Sequence, residues 1–246
     1  MEFYVLLISF FFIALIYSSV GFGGGSSYLA LMAQPFFGLL PEIIRPAALL
    51  CNIVVVTGGV IIFYRDGKLS LKEIWPFLIA SVPMAFVGGF WKLNDKTFFI
   101  LLGFTLLLAA IFLWIKPGEK NVRPLNISGQ VVLGGGIGLL SGLVSIGGGI
   151  FLSPVLHLMN WSEAKKISAL ASAFILVNSV GGLVGQLASG AHSINWNFIF
   201  PLLLAVLMGG QIGSRLGSKT FNSIYIRRIT AVLIFVAALN ILKDHL

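Results

Sequence analysis

Charge is what this sequence has least of. Charged residues make up 10% of its 246 residues and hydrophobic residues 58%, whereas an ordinary soluble domain is about one quarter charged. With a mean hydropathy of +1.01, the chain cannot clothe a water-facing surface, so a polytopic membrane protein is expected and a soluble globular one is excluded. Acids are scarcest of all: Glu2, Glu42, Asp66, Glu73, Asp95, Glu119, Glu163 and Asp244 all lie at the ends of apolar runs or in loops. Cation and proton carriers usually keep an ionisable carboxylate inside the membrane, so a metal or alkali-cation carrier is disfavoured. The single cysteine, Cys51, excludes an intramolecular disulfide and reads as a small buried hydrophobe. His157, His192 and His245 are far apart, and no metal site or cofactor is expected. A Gly-x-x-x-x-Gly-Lys-Ser/Thr loop is missing, which excludes ATP hydrolysis within the chain. No His-Glu-x-x-His, paired membrane aspartates or supported Ser/His pair offers an enzyme a catalytic set.

What is present is a series of apolar runs. They fall at about residues 3–20, 26–40, 44–64, 73–91 and 97–115, then again at 129–145, 150–160, 167–188, 196–214 and 228–242. Crossing a bilayer takes roughly 20 helical residues. The third, fourth and fifth runs of each set are long enough, and the first two of each set read as a broken or re-entrant hairpin. Phe3 to Tyr17 lacks the basic lead of a secretory signal, so it is expected to be the first membrane segment. Trp75, Trp91, Trp114, Trp161 and Trp196 stand near segment ends, as an interfacial belt requires.

Glycine is where the chain is most distinctive. Gly21-Phe22-Gly23-Gly24-Gly25-Ser26-Ser27 and Ser145-Ile146-Gly147-Gly148-Gly149-Ile150 each interrupt an apolar run and restart it. The two clusters are 124 positions apart (147 − 23), Gly58-Gly59 precede Gly181-Gly182 by 123, and Trp75-Pro76-Phe77 precedes Phe200-Pro201-Leu202 by 125. Three landmarks at offsets within one residue of 124 imply two homologous halves. The expected domains are a first repeat at 1–115, a linker at 116–128 carrying Pro117, Gly118 and Pro124, and a second repeat at 129–246.

Loop charges set the orientation. A cytoplasmic linker places twelve basic residues inside, namely Arg65, Lys68, Lys72, Lys116, Lys120, Arg123, Lys165, Lys166, Arg215, Lys219, Arg227 and Arg228, and leaves Arg45, Lys92, Lys96 and Lys243 outside. Loop 65–72 is then inside while its counterpart at 189–195 is outside, so the halves are expected to be inverted repeats. The net charge of +8 is spread over short loops and serves topology, which argues against nucleic acid as a partner.

In an inverted repeat two glycine tips approach from opposite faces and can meet near the midplane, where substrate sites of paired transporter halves lie. Consecutive glycines can turn neighbouring N–H groups to one side, and each tip opens a helix whose positive dipole end faces the break. The expected substrate-binding residues are Gly23, Gly24, Gly25, Ser26 and Ser27 at one tip and Gly147, Gly148, Gly149 and Ile150 at the other. Polar side chains within the spans add Asn52, Ser168, Ser172 and Asn178, whose amides and hydroxyls suit an oxyanion. Arg45 and Lys166 stand at matching places on the two faces as candidates for an electrostatic funnel, and His157 is a candidate for proton coupling. Packing uses compete with each of these readings: small residues let membrane helices approach, and hydroxyls bond between helices.

The glycine phrase at Gly21, its second copy from Ser141 to Pro154, and the following Ala164-Lys-Lys-Ile-Ser-Ala-Leu-Ala-Ser172 resemble the TauE/SafE sulfite-exporter family of bacterial membrane proteins. The resemblance covers nearly the whole chain. It implies a secondary carrier that exports a small sulfur anion such as sulfite, sulfoacetate or a related organosulfonate from the bacterial inner membrane, and it carries the family's glycine signatures onto Gly23–Gly25 and Gly147–Gly149. An anion channel of the same architecture is the alternative. The partners expected are a small anion and the lipid bilayer; a homodimer is a candidate, and the oligomeric state is left open.

Overall fold

In the computed structural model the described residues are 2–19, 21–115, 125–190, 194–216 and 223–246. Most of the expected linker, including Lys116, Lys120 and Arg123, lies outside them, as do Lys219 and His192 with the middle of loop 189–195. The described residues form ten α-helices. In the first half these are α1 Glu2–Ser18, α2 Gly25–Met32, α3 Pro41–Arg65, α4 Leu71–Phe90 and α5 Asp95–Trp114. The second half has α6 Ile127–Val144, α7 Gly149–Leu158, α8 Ala164–Ala188, α9 Trp196–Leu216 and α10 Ser223–His245.

Local chemistry sets several boundaries. Asn94 and Asn126 cap α5 and α6, each Oδ1 accepting from the amide three residues on, at 2.7 Å from Thr97 and 2.9 Å from Gly129. The run 26–40 is not one helix: α2 has 8 residues, after which Gln34 is extended before Pro35, a 3-10 turn covers Pro35–Phe37, and Gly38 closes it at φ 58°. Proline keeps its predecessor out of the helical region and lacks the N–H that would continue the ladder. Six described helices have the length and apolar character to cross a bilayer: α3, Lys72–Phe90 of α4, α5, α6, α8 and Trp196–Arg215 of α9. α6 joins this set because its helix begins at Ile127, inside the expected linker. Trp75, Trp91, Trp114 and Trp196 are exposed, but Trp161 is buried edge-on against Phe77, so it packs the core rather than the expected belt.

The first helix of each half packs on the fourth helix of the other: α1 on α9 and α6 on α4. Both seams depend on glycine. A Cβ on Gly134, Gly138 or Gly142 of α6 would collide with the carbonyl oxygens of Phe77, Ser81 and Ala85 of α4. One on Gly209 or Gly213 of α9 would collide with those of Phe11 and Leu15 of α1. Without a hydrophobic driving force between helices in lipid, such backbone contact is what van der Waals packing has to work with. In both seams the numbers rise together, so α6 runs parallel to α4 and α1 parallel to α9. In contrast α3 and α8 cross in antiparallel register, with Leu49 near Gly182 and Gly59 near Ser172. The same holds for α5 and α10, where Phe99 meets His245 and Gly103 meets Leu242.

Candidate functional site

Each hairpin turns inside the bundle on a glycine-dependent bend. Gly24 (φ 86°, ψ 1°) is the residue before α2, and Gly148 (φ 82°, ψ −17°) the residue before α7. Both lie in the left-handed region that L side chains avoid. Neither helix start has a side-chain cap. Among the described residues the amides of Gly23, Gly24, Gly25 and Ser26 find no hydrogen-bond acceptor, nor do those of Gly147, Gly148, Gly149 and Ile150. All of these residues are buried. Buried N–H groups are nearly always paired, and each one left over costs about 1–3 kcal/mol. Among the described residues, two runs of buried amides without acceptors thus stand at helix N-termini, where anions find donors and partial positive charge.

The two bends touch. A Cβ on Gly25 would stand 2.8 Å from the carbonyl oxygen of Ile146. Between them lies the carboxamide of Asn52, carried by α3 and 0% exposed. Its Nδ2 donates to Ile146 O at 3.0 Å, which joins the first half to the second bend. Side chains on Gly23 or Gly25 would collide with this amide, and one on Gly147 would approach Nδ2 to 2.8 Å. Around the junction is a small cavity, with room for about one water, lined by Gly23, Gly24, Gly25, Ser26, Asn52 and Ile150, with Tyr17, Phe22, Ile146 and Ile175 completing its wall. Ser27 turns aside to bond the Tyr17 hydroxyl.

The remaining residues expected at the site are distributed as follows. Ser172 donates to Gly21 O at 2.6 Å, sharing its hydrogen with Ser168 O at 2.9 Å, so this pair braces the approach to the first bend outside the cavity wall. Asn178 uses Nδ2 on Phe174 O at 2.8 Å within α8. Lys166 forms a surface ion pair with Glu73 at 3.2 Å, whereas Arg45 is 1% exposed. The Arg45 Nε donates to Ser145 Oγ at 3.2 Å and its guanidinium lies 5.4 Å from the Phe98 ring centre. His157 is half-buried in the last turn of α7. Among the described residues no group of three or more His, Cys, Asp or Glu is placed to hold a metal.

Sequence reasoning missed a polar cluster behind the second bend. Gln186 donates to Ser145 Oγ at 2.7 Å, so Ser145 accepts from α8 and from Arg45 of α3 at once. Ser141 Oγ and Ser179 Oγ are buried nearby without partners. A glutamine within the apolar run 167–188 was the available signal. Ile175 was also missed: it stands 123 positions after Asn52 (175 − 52) and presses on Gly149 as Asn52 presses on Gly25.

Comparison with known proteins gives a concordant result. The family description "Sulfite exporter TauE/SafE" matches residues 6–241. The "Probable membrane transporter protein y4hK" of Sinorhizobium fredii is 34% identical over 96% of this chain and 97% of its own length. The "Probable membrane transporter protein MJ0441" of Methanocaldococcus jannaschii is 26% identical over 87% and 85%. A "Probable membrane transporter protein MamO" of Magnetospirillum gryphiswaldense is 25% identical over 85% of this chain but 39% of its own length. No solved structure matches the chain.

Proposed function

The chain belongs to the sulfite exporter TauE/SafE family, and from that membership we propose that it exports sulfite or a related sulfur oxyanion or organosulfonate as a secondary carrier. It is a multi-pass membrane transporter and not an enzyme. One observation carries the substrate reading: the row of buried amides without acceptors at Gly23–Ser26 lines a cavity that Ile146 and Ile150 of the second bend also line. Oxyanion oxygens are the acceptors that such donors lack, and the two helix N-termini add partial positive charge in a medium of low dielectric.

We propose further that the cavity alternates its access between the two faces. Opposite insertion of the halves is supported by the packing. α1 is parallel to α9 and α6 to α4, while α3 and α8 are antiparallel, the pattern expected when α1 and α6 enter from opposite sides. With the linker cytoplasmic, twelve of sixteen Lys and Arg lie on its face. Gly23–Gly25, Ser26, Asn52 and Gly147–Ile150 would contact the anion. Ser168, Ser172 and Arg45 would hold the bends in place.

The test is flux of labelled sulfite, sulfoacetate and thiosulfate in proteoliposomes, with and without a proton gradient. Saturable flux of at least one, inhibited by the others, is expected. Absence of flux for all three would overturn the substrate class, and non-saturating flux would replace the carrier with a channel.

A further inference from the structure

We infer that the preferred substrate is a singly charged oxyanion that brings its own O–H donor, and that Asn52 is the residue that selects it. The inference rests on the anion-carrier reading above and adds the protonation state and hydroxyl content of the substrate.

Asn52 is oriented by its neighbours. Its Nδ2 donates to Ile146 O at 3.0 Å; the reversed amide would set two acceptor oxygens against each other, so the network fixes the assignment. The opposite end of the carboxamide, Oδ1, faces Gly23, where any side chain would collide with it. That oxygen is buried and accepts no hydrogen bond. It belongs to a residue lining the cavity between the bends. Asn52 therefore brings an acceptor without a partner to the edge of a cavity whose first wall carries N–H donors: the donors want oxygens, and the carbonyl wants a hydrogen.

Shape does not require the amide. At the matching station in the second half, Ile175 fills the same role against Gly149 with an apolar side chain. An asparagine on the first side thus adds a buried carbonyl acceptor beside the amide donors of the first bend. A fully deprotonated dianion presents only lone pairs and would repel Oδ1. Hydrogen sulfite or a hydroxyalkanesulfonate places oxygens on the amides and an O–H on Oδ1, which satisfies both features. A site that hydrogen-bonds a substrate hydroxyl discriminates strongly against the analogue without it, because the buried carbonyl is then left unpaired.

The test compares 2-hydroxyethanesulfonate with 1-propanesulfonate, monoanions of nearly equal size that differ by OH against CH3. Both compete against labelled sulfite in proteoliposomes containing the full chain. A preference of about tenfold or more for the hydroxyl compound is expected. Across a pH series, sulfite flux should follow the hydrogen-sulfite fraction when the proton gradient is held at zero. Asn52→Ile, which copies the arrangement at Ile175, should bring the two sulfonates to within about twofold of one another. Equal competition by the two in the unmodified protein would overturn the inference, since a water on Oδ1 would then suffice. Retained preference in Asn52→Ile would overturn the role of Asn52. Loss of flux for every anion in the unmodified protein would instead defeat the underlying carrier reading. If Asn52→Ile does not fold, the sulfonate pair and the pH series in the unmodified chain still decide.

Discussion

Arg45 and Ser145 are one hundred positions apart in sequence, yet Arg45 Nε donates to Ser145 Oγ at 3.2 Å in a fully buried setting. The bond ties the start of α3 to the second glycine bend, and Gln186 reaches the same oxygen from α8. The bend is thereby held from two sides, by helices that belong to different halves.

Replacing Arg45 should loosen that bend. Arg45→Met keeps bulk but leaves Ser145 with Gln186 alone, at a cost on the order of 1–3 kcal/mol. About 2–4 °C of melting temperature is lost per kcal/mol in a chain of this size. Arg45→Lys should recover little, because an ammonium lacks the planar fork that both stacks near Phe98 and donates to Ser145. Thermal unfolding in detergent checks this, and a lysine variant equal to the native protein would contradict it.

The glycines before the two short helices should be intolerant for a reason distinct from packing. Gly24→Val or Gly148→Val places a β-branched residue at φ 86° or 82°, which costs about 1–3 kcal/mol. At Gly148 the added carbon would also lie 2.8 Å from the Phe174 ring. Both variants should insert and lose transport, as judged by membrane fractionation alongside flux.

On α6, glycines facing α4 and facing outward should behave oppositely. A Cβ on Gly138 would collide with the Ser81 backbone, while one on Gly136 meets nothing within 4 Å. Gly138→Leu should therefore separate the helices and reduce the yield of folded protein severely. Gly136→Ala should match the native protein or gain slightly in helix propensity. Size-exclusion profiles and thermal melts of the pair distinguish them.

The Lys166–Glu73 pair should matter little. Its side chains are 39% and 45% exposed, and ion pairs of this kind contribute about 0–1 kcal/mol before salt screening. Lys166→Ala should leave both melting temperature and saturating flux nearly unchanged. A large loss of flux at low salt alone would restore Lys166 as part of a charged funnel.

The glycine bends were legible in the sequence because a broken apolar run with bare glycines has few uses inside a membrane, and the repeat offset singled them out twice. Asn52 was legible as a polar residue in an apolar span. The end of α2 was not read, since hydropathy continues through Pro35 and Gly38 although the backbone cannot. Neither was the pairing of α1 with α9 and α6 with α4, which depends on contacts between segments far apart in the chain. Gln186 and Ile175 took on meaning only when the second bend was seen against α8: one supplies a donor to Ser145, the other fills the place that Asn52 fills opposite.

Amide hydrogen exchange at the two bends, with and without sulfite, tests the central claim most directly. Sulfite should slow exchange in segments 22–27 and 145–151 together, because the N–H groups of both take part in holding one anion. Unchanged exchange in both segments under saturating sulfite, with protection appearing elsewhere in the chain, would contradict it.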